Sequence, residues 1–173
     1  MADTPIGKFG RTYEQGPYGT VHGGAQGKVW NTGRKFEIEI EGQSVVAGLL
    51  EEEAPRTCEA FANMLPLEAK VLSLRWSGDG FQTHHPQLEK MAADSELLME
   101  NFTTFAGRGD IMFWVRDRGL FFCYNYMHSR GITGEEPPNL FAHVDPQYYS
   151  VLYEMGLKIY KEGEKLMRIR LLE

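Results

Sequence analysis

Residues 50–81, LEEEAPRTCEAFANMLPLEAKVLSLRWSGDGF, change their hydrophobic period once, and that change sets the architecture. Pro55 suits the first turn of a helix, where its missing N–H leaves no bond unmade. Glu51, Glu52 and Glu53 stand just before it, at the positive end of the helix dipole. Cys58, Phe61, Ala62 and Leu65 then recur at i, i+3, i+4 and i+7 as one apolar stripe. Pro66 stops the helix, because the residue before a proline is pushed out of the helical region. From Lys70 the period becomes two: Leu72, Leu74 and Trp76 face one way, Val71, Ser73 and Arg75 the other. The spacing thus predicts a helix, then a strand over 70–76 that delivers Arg75 and Trp76 to a Ser77-Gly78-Asp79-Gly80 turn.

The flanking chain is mostly strand. Phe36, Ile38 and Ile40 alternate with Glu37 and Glu39, Glu41-Gly42-Gln43 turns, and residues 45–50 return as the second arm of a hairpin. His84, His85 and Pro86 open an irregular connection through the polar stretch 88–100, with a short helix expected at 97–99. Residues 102–105 read as extended, since Thr103 and Thr104 favour strand. Residues 110–115 and 120–127 form a second hairpin around Asp117-Arg118-Gly119. The returning arm LFFCYNYM is apolar and aromatic on both faces, as in a strand central to a closed sheet. Residues 131–138 read as a loop broken by Gly134 and Pro137-Pro138, and 139–144 as a short strand. Asp145-Pro146 supplies an N-cap and first position for a second helix with a Val151, Leu152, Met155 stripe. Met167, Ile169 and Leu171 alternate with Arg168 and Arg170 in a closing strand expected to pair with the first. These elements predict a mainly β fold: a small closed antiparallel β-barrel with two covering helices. Residues 1–34 are a Gly-rich arm with scattered aromatics (Tyr13, Tyr18, Trp30), and 35–173 form the barrel domain.

The same residues carry a family resemblance. Ala54-Pro55-Arg56-Thr57-Cys58-Glu59-Ala60-Phe61 resembles the helix opening of cyclophilins, in which a proline, a threonine two on and a phenylalanine four later recur. Leu72-Ser73-Leu74-Arg75-Trp76 falls roughly where cyclophilins have a phenylalanine-histidine-arginine strand, which puts Arg75 near their catalytic arginine. The chain is more closely similar to an uncharacterised family of bacterial cyclophilin-like proteins (domain of unknown function 3830). There an arginine-tryptophan-serine-glycine-acid motif follows the same helix, matched here by Arg75-Trp76-Ser77-Gly78-Asp79. That family's Gly-Asp strand start is similar to Gly109-Asp110-Ile111, and its Asn-x-Phe-Ala segment to Asn139-Leu140-Phe141-Ala142. The resemblance runs from residue 36 to the C-terminus and implies a cyclophilin-like barrel. Peptidyl-prolyl isomerisation fits it poorly. Cyclophilins follow their arginine with phenylalanine-x-x-glutamine-glycine-glycine, and this chain reads WSGDGFQTHH.

Composition removes several function classes. A net charge of −6 and a pI near 5.4 offer phosphate backbones no basic surface, so no nucleic-acid partner is expected. No apolar run reaches the ~18 residues of a membrane span, and residues 1–10 lack the hydrophobic region of a secretory signal. The expectation is a cytoplasmic protein, whose two cysteines stay reduced and free. Aromatics in the arm need an apolar surface to rest on, which predicts a homo-oligomer, a dimer first.

Four chemistries compete for the remaining residues. Arg75 could donate to a prolyl carbonyl. Cys123 as nucleophile with His128 or His143 as base, and Arg75 with Ser77 holding a carboxylate, would make a hydrolase or lyase; yet Cys123 lies between Phe122 and Tyr124, where a strand cysteine usually packs. His84-His85 is the sole histidine pair, and neighbours on an extended chain point to opposite faces, so no metal and no cofactor is expected. The leading expectation is a small-molecule pocket at a barrel mouth. It draws on Arg75, Trp76, Ser77, Asp79, Tyr126, His128, Asn139 and His143, and takes a small polar or anionic ligand.

Overall fold

A computed structural model describes residues 31–74, 77–131 and 134–173. Most of the expected N-terminal arm, and the site candidates Arg75 and Trp76, therefore lie outside the described residues. The chain forms β1 (Lys35–Ile40), β2 (Gln43–Leu49), α1 (Pro55–Met64), β3 (Leu67–Ser73), β4 (Gly78–His84) and α2 (Pro86–Asp94). It continues with β5 (Phe105–Gly107), β6 (Asp110–Trp114), β7 (Gly119–His128) and the short pair β8 (Arg130–Gly131) and β9 (Gly134–Glu135). Last come β10 (Asn139–Val144), a 3₁₀ turn (Pro146–Tyr148), α3 (Tyr149–Glu162) and β11 (Lys165–Leu171).

The sheet runs β4-β3-β11-β1-β2-β10-β6-β7, and β7 pairs back onto β4, so eight antiparallel strands close into a barrel. The closing strand pairs with the first as its alternation predicts, with Ile38 opposite Ile169 and Ile40 opposite Met167. Strand β7 is ten residues long. Its first part pairs with β6 and its end with β5, which continues the sheet past the start of β6.

One side-chain set from each strand fills the interior. Phe36, Ile38, Val45, Ala47, Leu67, Val71, Phe81, Ile111, Phe113, Phe122, Val144 and Ile169 all belong to one buried cluster. All three helices described add to it: Cys58 and Phe61 from α1, Leu88 and Met91 from α2, Leu152, Met155 and Ile159 from α3. Phe61 sits between Phe36 and Phe141, with ring centroids 5.1 and 4.9 Å away. Helix α3 packs against β2, β3, β4 and β7, strands from different sides of the barrel, so it lies across an opening.

Several local expectations are corrected. The strand after α1 spans 67–73 rather than 70–76, and its inward face is Leu67, Ala69 and Val71, while Leu72 is 49% exposed. Gly78-Asp79-Gly80 does not turn; it opens β4, because pairing along β7 outweighs local turn chemistry. His84 ends β4, and His85 begins a helix: its ring Nδ1 accepts from Gln87 N–H, and Pro86 fills the first position. That helix, α2, is additional to the two expected and covers 86–94, and 97–99 is not helical. The carboxylate bonded to the first turn of α1 belongs to Glu100, which accepts from Thr57 N–H at 2.5 Å, while Glu51, just before the helix, pairs with Arg34. Asp145 and Pro146 take the expected N-cap and first positions, of the 3₁₀ turn that leads into α3, but the Asp145 carboxylate accepts from Lys35 Nζ at 2.6 Å rather than from the turn. The expected loop 131–138 overlaps a short ladder, in which Arg130 pairs with Glu135 and Gly131 with Gly134.

A buried acid, histidine and tyrosine on the outer face of the barrel

Strand alternation sorts the site from the core. In β6, Ile111 and Phe113 point into the barrel, so Asp110 and Met112 lie on the outside. The same rule puts His143 outside, between the inward Ala142 and Val144, and Gly48 outside, between Ala47 and Leu49. Lys35 precedes the inward Phe36 and is outside as well. These four are neighbours in register across adjacent strands: Lys35 beside Gly48, Gly48 beside His143, His143 beside Asp110. A polar row therefore crosses the outer face of β1, β2, β10 and β6. Next to it lies an outer apolar cluster, including Leu50, Leu74, Met112, Phe121, Cys123, Met127 and Leu140.

At the β6 end the row becomes a buried triad. Asp110 is fully buried and His143 is 4% exposed. Asp110 Oδ1 lies 2.9 Å from His143 Nδ1, and its Oδ2 accepts from Gly107 N–H at 2.8 Å. His143 Nε2 lies 2.7 Å from the hydroxyl of Tyr149, the first residue of α3. A carboxylate only accepts, so Nδ1 carries a proton; in the neutral ring Nε2 then accepts from the tyrosine O–H. Burial, and then the nearby Asp110, push the Tyr149 phenol up to about 12, against the pull of Arg108. Gly109 makes the close packing possible. Its φ is +93°, and a Cβ there would lie 2.7 Å from Tyr149 Cε1 and 2.9 Å from His143 Cε1.

Charge surrounds the triad. Arg108 Nη2 donates to Asn125 Oδ1 at 3.1 Å, and Asn125 Nδ2 donates to Asp79 Oδ2 at 2.7 Å. Asp79 thus meets an amide that also holds a guanidinium. At the other end of the row, Lys35 Nζ donates to Thr32 Oγ1 (2.9 Å) and Asp145 Oδ1 (2.6 Å). Thr32 and the lysine head lie over Gly48, where a Cβ would meet Thr32 Cβ at 2.4 Å.

The other candidates fall elsewhere. His128 stacks on Phe105 (centroids 4.2 Å apart), holds Glu135 at 2.8 Å, and has Tyr126 nearby across Phe105. Ser77 is buried, and its carbonyl accepts from His128 N–H. Asn139 is a fully buried clamp: its amide donates to Thr57 Oγ1 and the Leu98 carbonyl and accepts from Glu100 N–H. Cys123 is fully buried with its thiol towards Ala106 O at 3.6 Å, and desolvation drives its pKa well above the usual range. Such a thiol is packing rather than an activated nucleophile. Cys58 is likewise buried, its Sγ on Phe141 O, and is pushed up to about 12 by burial. Of the sequence candidates, His143 and Asp79 meet the outer-face cluster, while Ser77, Tyr126 and His128 form a second group. Asp110, Tyr149, Arg108, Asn125 and Lys35 were missed. Among the described residues no three His, Cys, Asp or Glu side chains converge as metal ligands, and no described helix is long and apolar enough to cross a membrane.

The model of a family described as protein of unknown function (DUF3830) matches residues 36–170, and the chain belongs to that family. No curated protein matches it. Among solved structures it is similar to McbB in complex with tryptophan, with a TM-score of 0.62 and 21% identity over 78% of this chain and 44% of that one. It is also similar to the solution structure of the hypothetical protein AF2241 from Archaeoglobus fulgidus (TM-score 0.53, 14% identity, 84% and 99% covered). At these identities the likeness is one of fold, and the chain spans less than half the length of McbB.

Proposed function

We propose that this member of the DUF3830 family is a cyclophilin-like barrel that binds a small polar or anionic molecule on its outer face, beside Arg108, His143 and Tyr149. The observation that carries the reading is the fully buried Asp110 joined to a nearly buried His143. A carboxylate buried against an imidazole seldom adds stability over well-packed apolar side chains, because taking its charge out of water is costly. The Tyr149 phenol that His143 touches, raised in pKa by burial and by Asp110 and acted on by the Arg108 guanidinium, is the kind of perturbed group that marks a candidate site. A carboxylate is the functional group that the Arg108 fork suits. The tryptophan bound by McbB, a protein of similar fold, supports a ligand of amino-acid size.

The test is a thermal-shift panel of amino acids, tryptophan included, hydroxy acids and dicarboxylates, repeated on Arg108→Ala. A subset should raise the melting temperature of the wild type, and the shift should vanish in the variant. A panel that leaves the wild type unmoved, with no heat in titration calorimetry, refutes the reading. Arg75 stays in it on sequence grounds: Arg75→Lys should weaken the same ligand by about 1.5–3 kcal/mol, the scale of hydrogen bonds to a charged group. The reading extends to assembly as a homodimer in the cytoplasm. Leu98, Met99 and Phe102, each at least half exposed, offer apolar surface for it, and a monomer in sedimentation at micromolar concentration would exclude it.

A further inference from the structure

We infer that Tyr149, His143 and Asp110 form a proton relay, with the Tyr149 hydroxyl as the acid–base group that meets the bound molecule. The inference takes its substrate from the binding site proposed above, but its own test needs no ligand. The three groups are in series: the carboxylate fixes the Nδ1 proton, which leaves Nε2 as the base facing the phenol at 2.7 Å. Gly109 keeps the ring and the phenol in contact by leaving out the side chain that would part them. Purely structural packing would be served as well by an apolar trio of similar volume.

The chemistry balances without a co-reactant. A proton on carbon, nitrogen or oxygen beside the substrate carboxylate passes to Tyr149 Oη. At the same time the original phenol proton passes to His143 Nε2. The bonding electron pair stays on the substrate, the new imidazolium faces Asp110, and the Arg108 cation stands near the anion that forms. Returning the proton to a different atom of the substrate completes an isomerisation. The substrate class is therefore a small carboxylic acid with an acidic proton next to the carboxylate. Tyr149 is the catalytic residue; His143 and Asp110 act through it.

Acetylation by N-acetylimidazole reads the relay directly. The phenol oxygen forms a bond to the acetyl carbon, the carbon–imidazole bond breaks, and the phenol proton leaves through His143. Tyr160, 67% exposed, is the internal comparison. Asp110, Arg108 and Asp145 are the charged groups that act on Tyr149, and burial makes its unassisted phenol a poorer nucleophile than a free tyrosine. With the relay, peptide mass spectrometry should show Tyr149 acetylated about tenfold faster than Tyr160 at neutral pH. His143→Gln should slow Tyr149 by about 10²-fold, the lower range of general-base effects, and leave Tyr160 unchanged. If that variant does not fold, the wild-type pH profile decides. Through the relay, Tyr149 labelling should level off below pH 9, because the ring rather than hydroxide takes the phenol proton, whereas a bare phenol accelerates about tenfold per pH unit up to that pH. A Tyr149 rate at or below that of Tyr160, a rate unchanged in His143→Gln, or a profile that never levels off overturns the relay. None of these outcomes bears on whether the panel of carboxylates binds.

Discussion

Gly109→Ala tests the packing that holds the triad together. Two costs add at this position. The backbone sits at φ +93°, and placing an L side chain in the left-handed region costs about 1–2 kcal/mol. The new methyl would then stand inside contact distance of two rings, Tyr149 Cε1 at 2.7 Å and His143 Cε1 at 2.9 Å. Neither ring moves freely, since His143 is tied to Asp110 and Tyr149 is anchored at the start of α3. Forcing a methyl into such a place costs about 1–3 kcal/mol more. The whole loss should therefore be about 2–5 kcal/mol in urea unfolding, with the denaturant slope unchanged. Gly42→Ala separates the two terms. Gly42 has φ +80° in the β1–β2 turn, yet a Cβ there meets nothing within 4 Å, so only the backbone cost of about 1–2 kcal/mol applies. Equal losses in the two variants would mean that Tyr149 and His143 do not pack on Gly109 as described, and the site geometry would have to be redrawn.

Phe61→Ala, which empties the contact between Phe36 and Phe141, should cost about 3–5 kcal/mol, measured by chemical unfolding. Asn139→Ala strands the buried Thr57 hydroxyl together with the partly buried Leu98 carbonyl and Glu100 N–H and should lower stability by about 2–4 kcal/mol, more than one ordinary hydrogen bond, because three bonds are lost at once. Alkaline stability follows from Cys58, whose folded pKa lies near 12 against 9.0 for the free thiol. Below pH 9 both states keep the proton and stability is flat in this group. Above it the unfolded chain loses a proton that the folded chain retains, so stability falls by about 1.4 kcal/mol per pH unit towards pH 12. Cys58→Ala should make that decline shallower by one proton, and an unchanged slope would place the thiol in water.

The barrel was legible because its strands and first helix announce themselves locally. Ile38 against Glu39, or Ile169 against Arg170, states which face is wet without knowledge of any partner. Helix α2 was legible too but was passed over: His85-Pro86 is a start signal, and Leu88, Met91 and Ala92 recur at i, i+3 and i+4. Gly78-Asp79-Gly80 misled because its turn propensity is local while its pairing with Met127 and Cys123 is not. The site failed for the same reason on a larger scale. His143 was a candidate, but Asp110 joins it from 33 residues away, and nothing around Tyr149 marks it as a partner. Only the register of β10 against β6, itself shifted by an irregularity between Leu140 and Ala142, sets the two side by side.

Strand β11 lies between β1 and β3, with Glu37 opposite Arg170 across more than a hundred residues of chain. On a ribosome the barrel is consequently a ring that stays open until residues 165–171 emerge. Through that interval β1 and β3 each present a bare edge, the arrangement most prone to pairing with a neighbouring nascent chain. Their outward residues are Glu37 and Glu39 on one strand and Glu68 and Lys70 on the other. In the finished protein these charges pair with Arg170, Arg168 and Glu164. During synthesis they are the guard on two unfinished seams, and an apolar replacement there should reduce the yield of soluble chain more than the stability of the folded one.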